Sequence, residues 1–129
     1  MHLFNFCLGE HDGTTMFDYI SDNDASSKMV ENNSHHTDHH SKHITVPVRR
    51  YDNLELGIQP DLIIMDVEGF EYEVLKGMKD LLSNLERCDI VIEIMPQTKT
   101  KNETMAIMAS YGFTKHHRVD DHDCHFRKD

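Results

Sequence analysis

Four apolar residues run without interruption into an acidic turn in the stretch "PDLIIMDVEGFEYEVLKG", Pro60 to Gly77. A strand with one wet face alternates apolar and polar residues, and Leu62–Met65 does not. A continuous run predicts a strand from Leu62 to Val67 covered on both faces, as in the parallel sheets of α/β proteins. Phe70, Val74, Met78, Leu81, Leu82 and Leu85 then recur at helical spacing. Gly77 falls inside that helix, where glycine costs about 1 kcal/mol relative to alanine, which points to close packing against a neighbour. Between strand and helix lie Asp66, Glu68 and Glu71. An acid that directly follows a buried strand emerges at its carboxyl end, where open α/β sheets bind ligands. The first turn of the helix favours negative charge, and Gly69 permits an abrupt turn.

The rest of the chain supports an α/β reading. Leu3–Leu8 and Thr14–Ile20 read as short strands forming a hairpin across the turn Gly9–Gly13. Residues 21–43, "SDNDASSKMVENNSHHTDHHSKH", contain little that could build a core and read as a polar, His-rich, disordered loop. Ile44–Arg50 is a strand that Pro47 confines to an edge or ends early. Asp89–Met95 is a second buried strand. Thr100 and Glu103 have capping-box spacing before a helix that Gly112 closes. From Phe113 onward, one or two terminal strands turn at Asp120-Asp121. At 129 residues the expectation is one domain, 1–129.

Composition narrows the partners. Thirteen Lys and Arg against 23 Asp and Glu give a formal charge of -10. A nucleic-acid binder carries a basic patch to contact phosphates, and Arg49-Arg50 with scattered lysines does not make one. No apolar run approaches the length needed to span a bilayer, and the first residues lack the pattern of a signal peptide. Cys7, Cys88 and Cys124 stand far apart without metal or redox spacing, as reduced thiols in a cytoplasmic protein would. His35, His39 and His43 would share a face if helical, yet a structural zinc site needs an ordered framework. His122, Cys124 and His125 have no standard spacing either, so no residue is assigned to a metal.

"PDLIIMDVEGFEYEVLKGMKDLL" followed by "IVIEI" resembles the signature of the FkbM-type family of S-adenosylmethionine-dependent methyltransferases. Asp66, Val67, Glu68, Gly69 and Glu71 match the family's turn, Leu75 and Gly77 its helix, and Glu93 the end of its next strand. "NFCLGEHDGTTMF" and "VPVRRYDNL" resemble the segments after its third strand and before its fourth. The resemblance implies a class I, Rossmann-like, mostly parallel sheet. It implies S-adenosylmethionine as cofactor, with methyl transfer to a hydroxyl oxygen of a small molecule, sugar or lipid. Asp66 is then the first candidate for catalytic base or orienter of the acceptor, Glu68 the second and Glu93 the third, with Glu71 in the acceptor pocket.

The family's cofactor half, however, opens with a glycine-rich turn between a strand and a helix. Here no glycine lies between Gly13 and Gly57, so no residue can be assigned to the cofactor. The expectation is a partial sheet lacking its first two strands, completed by a missing N-terminal half or a second chain. Two rivals stay open: an inactive remnant of this fold acting as a binding module, and a metal-binding protein whose histidine loop is the active part.

Overall fold

A computed structural model describes residues 1–20, 28–29 and 41–129. The candidate loop at 21–43 thus lies mostly outside the described residues, with its histidines 35, 36, 39 and 40. Among the described residues are two four-stranded sheets and three α-helices. The first sheet holds β1 (Cys7–Leu8), β2 (Gly13–Ile20), β3 (Lys28–Met29) and β4 (Ser41–Arg49), in the order β1-β4-β2-β3. The second holds β5 (Leu62–Met65), β6 (Cys88–Glu93), β7 (Lys115–Arg118) and β8 (Asp123–Lys128), in the order β5-β6-β8-β7. The helices are α1 (Glu71–Gly77), α2 (Lys79–Asn84) and α3 (Lys101–Ser110).

Several expectations change. Only β1 with β4 and β5 with β6 pair in parallel, and the other described pairings are antiparallel, so the sheets are mixed rather than mostly parallel. Residues 3–8 and 14–20 do not form a hairpin, because β4 lies between β1 and β2. β4 begins at Ser41, earlier than its β-branched core suggests, and continues the ladder with β2 from Pro47 opposite Thr14 to Ser41 opposite Ile20. Pro47 fits because β1 pairs only with Val48 and Arg49, so the proline sits just past the doubly paired stretch, where a missing N–H costs least.

The expected helix after the acidic turn is broken in two at Met78, whose φ of -107° and ψ of 15° leave the helical region. The first amides of α2 are satisfied from a distance: the Asp52 carboxylate accepts from the N–H groups of Asp80 (3.0 Å) and Leu81 (3.1 Å). At its other end, and at the end of α3, Lys128 acts as a shared cap. Its ammonium donates to the carbonyls of Leu82 (2.9 Å), Ser83 (2.9 Å) and Tyr111 (2.8 Å). Gly112 closes α3 as expected, with φ +94° and its N–H bonded to the Ala109 carbonyl. The capping box does not form: Thr100 stands at the N-cap position, but its side chain makes no cap hydrogen bond.

All three helices are joined to one face of the second sheet by a single core. Ile90, Ile92, Cys124 and Phe126 face Val74, Leu75, Met78, Leu82 and Met108, all buried. Burial alternates along β6 between fully and partly buried residues, so one face of the strand is fully covered and the other only in part. That second face is open along β5. Leu62 is 56% and Ile64 75% exposed, against the double burial expected from "LIIM". The first sheet reaches this core through the segment after β1. A Cβ on Gly77 would overlap the Gly9 carbonyl oxygen, which accounts for the glycine in the helix. Glu10 there accepts from Lys76 at 2.6 Å, and Arg50 donates to the Glu10 carbonyl at 3.1 Å.

Candidate active site

The parallel pair β5 and β6 is in register from Leu62 opposite Asp89 to Met65 opposite Ile92. Both strands therefore end at the same level. Asp66 follows β5 and Glu93 closes β6, each in phase with the open-face residues Ile64 and Val91 of its own strand. The chain then turns sharply. Glu68 (φ +53°) and Gly69 (φ +97°) both take left-handed backbone, and the Phe70 N–H donates to the Val67 carbonyl at 3.3 Å. Left-handed backbone is routine for Gly69 but costs a glutamate on the order of 1–2 kcal/mol. Strain held at a strand-to-helix turn is a mark of functional positions.

The carboxyl of Glu93 is raised above its ordinary value of 4.5. Burial is the main cause; the Asp66 charge, a hydrogen bond with Asp66 and the Glu68 charge push in the same direction. The structure thus brings Asp66, Glu68 and Glu93 together at one strand end. A fourth acid, Asp123, lies opposite Glu93 in the β6–β8 register. Two carboxyls that share a site resist double ionisation, and one then holds its proton to higher pH.

Glu71 is placed differently. It is only 2% exposed, and its Oε1 accepts from the Gly69 N–H at 3.0 Å. Its Oε2 is buried with no protein partner among the described residues. The side chain holds the turn shut from inside, two residues after the glycine that makes the turn possible.

His122 is a neighbour of these acids that sequence spacing did not reveal. Its charge acts on Glu93, lowering the carboxyl's pKa against the push of the acids. The β6–β8 ladder delivers it: the Ile94 N–H donates to the His122 carbonyl at 2.7 Å. Arg118 fastens the same turn, donating to the carbonyls of Asp121 (2.9 Å) and Ile94 (3.3 Å). Only knowledge of that antiparallel register links residue 122 to residue 93. Cys88 stands at the opposite end of β6 from the acids. Cys88 is buried, and burial, then the charges of Asp89 and Asp61, push its thiol up, away from the reactive thiolate. A hollow lined by Tyr51, Leu56, Ile58, Leu81 and Leu85 lies beside the segment leading into β5, at the opposite end of that strand from the acids. Among the described residues, no group of three or more His, Cys, Asp or Glu is placed to hold a metal ion. No described helix is long and apolar enough to cross a membrane.

The model of one family, described as the methyltransferase FkbM domain, matches residues 3–123. No curated protein and no solved structure matches the chain. The match spans β1 through the start of β8 and includes the acidic turn, the Gly77 contact and the end of β6. The chain belongs to the methyltransferase FkbM domain family.

Proposed function

We propose that these residues form the acceptor side of an S-adenosylmethionine-dependent methyltransferase that methylates a hydroxyl oxygen of a small molecule, sugar or lipid. One observation carries the reading: the raised carboxyl of Glu93 shares the end of a parallel strand pair with Asp66. A base works best when its pKa approaches the working pH, and general base catalysis contributes about 10²–10⁴-fold. Glu93 accepts the proton of the acceptor hydroxyl, and Asp66 orients that hydroxyl and holds Glu93 in place. Glu68 keeps the local potential negative. Glu71 serves acceptor binding indirectly, by fixing the turn that presents Asp66 and Glu68.

The described residues do not fit the cofactor. A strand followed by a glycine-rich turn and a helix is needed, and every described element before α1 is a strand or the single 3-10 turn Tyr51–Leu54. The cofactor cradle would come from polypeptide beyond the described residues, in the same chain or another. A rival reading, an inactive fold remnant that serves as a binding module, draws on the same missing cradle.

Isothermal titration with S-adenosylmethionine separates the two. The 129-residue chain is expected not to bind, and a version extended by a glycine-rich first half is expected to bind. In the extended protein, Glu93→Gln is expected to lower methyl transfer by about 10²–10⁴-fold. Absence of binding in both proteins would sink the enzymatic reading and leave the binding module.

A further inference from the structure

The open face of the second sheet carries a second cluster, one row of the sheet away from the acids. His117 on β7 and His125 on β8 are directly opposite in the antiparallel register. Their Nδ1 atoms are 3.4 Å apart, and the rings meet edge to face at 75°. On the far side of His125, Nε2 lies 2.7 Å from Oδ1 of Asp89 on β6. Arg127 Nε lies 4.0 Å from the same oxygen.

We propose that His117 and His125 form a binding site for a late first-row divalent ion: copper(II), nickel(II) or zinc(II). Three features lead there. A neutral His125 that donates Nε2–H to the Asp89 carboxylate must carry its lone pair on Nδ1, the atom facing His117. A carboxylate on the outer nitrogen is the usual companion of a metal-bound histidine, because it fixes the tautomer and strengthens the ligand. Finally, two nitrogens bound at about 2.0–2.1 Å to one tetrahedral ion are separated by about 3.3–3.4 Å. The observed separation of 3.4 Å matches that of two ligands on one ion, and metal binding takes the place of the hydrogen bond that the two Nδ1 atoms can otherwise share.

Imidazole pairs select these metals over magnesium or calcium, which prefer oxygen. Two protein ligands leave the remaining positions to water, so the site is open rather than a closed structural centre. It is reachable from solvent: His117 is exposed and the His125 side chain is 21% exposed. Binding requires both rings neutral and releases protons, so affinity falls in acid.

The test uses the whole chain with His35, His36, His39 and His40 replaced by Gln, so that this second group of histidines cannot report. Calorimetric titration with copper(II), nickel(II) and zinc(II) chlorides is expected to show one equivalent bound, copper tightest. His117→Ala is expected to abolish that equivalent. Asp89→Asn is expected to keep the stoichiometry and weaken affinity about 10-fold. NMR of the histidine rings is expected to show His117 and His125 shifting together on zinc addition. One-equivalent binding that survives His117→Ala, or zinc that leaves both rings unshifted, would overturn the proposal.

Discussion

Glu93 is where a single residue carries most of the functional argument. It is the last residue of a strand, beside Asp66 and Glu68, and its carboxyl is held above 4.5 by burial first and by those acids second. The effect on stability follows from the direction of that shift. A carboxyl whose folded pKa is raised binds its proton more tightly in the folded state. Its contribution to stability is full below 4.5 and is lost as pH rises through the folded value. Glu93→Gln avoids that loss. The variant's urea midpoint, relative to the wild type, should therefore rise across the window that begins at pH 4.5 and level off above it. A midpoint difference that does not change with pH would contradict the assignment. Glu71 shows the limit of reading a residue from its neighbours in sequence. An acid in the first turn of a helix looks solvent-facing and available, yet Glu71 is buried and bonded to Gly69, because the left-handed turn folds the backbone amide over it.

At the scale of elements, the helices are short and are held by contacts distant in sequence. α2 has six residues, too few to be stable alone. Asp52 satisfies its first amides and Lys128 its last carbonyls. Lys128→Met removes three charge-assisted hydrogen bonds from carbonyls at two helix ends, and hydrogen bonds to charged groups are worth about 1.5–3 kcal/mol each at most. The net loss should be on the order of 2 kcal/mol after water replaces some of them, measured by chemical denaturation. Gly77→Ala pits two effects against each other. Helix propensity favours alanine by about 1 kcal/mol, but the new methyl meets the Gly9 carbonyl, and overpacking costs about 1–3 kcal/mol or more. The overlap is with backbone, which cannot swing aside, so the variant should be less stable; an equal or higher melting temperature would show that the β1 segment can retreat. The break at Met78 was not legible in the periodicity, because Phe70, Val74, Met78 and Leu82 keep helical spacing straight through it. The Gly77 contact was legible, since an internal helix glycine needs a packing reason.

For the whole molecule, the sequence made the acidic turn, the strand before it, β6 and the terminal hairpin legible, and those elements surround the candidate site. What it concealed was the pairing. An apolar run such as Leu62–Met65 records how a strand should be covered, not which element covers it, and here one of its faces is open. Strand order likewise depends on contacts between β1 and β4, or β6 and β8, that no local pattern encodes. The open face has a physical consequence. Among the described strands β5 pairs only with β6, and an exposed apolar edge strand is a site of association. Light scattering should show concentration-dependent association of the isolated chain, reduced by Ile64→Lys, which puts a charge on the most exposed residue of that strand. A monomer at all concentrations would mean that the edge is protected by residues outside those described.

The central claim, that the acids at the ends of β5 and β6 form one coupled site with Glu93 as the poised base, has a direct test. Carbon-13 NMR titration of the Glu93 side-chain carboxyl should give a midpoint above 4.5 that falls in Asp66→Asn, where the neighbouring charge is gone and the side chain keeps its shape. An ordinary midpoint that does not respond to Asp66→Asn would contradict it.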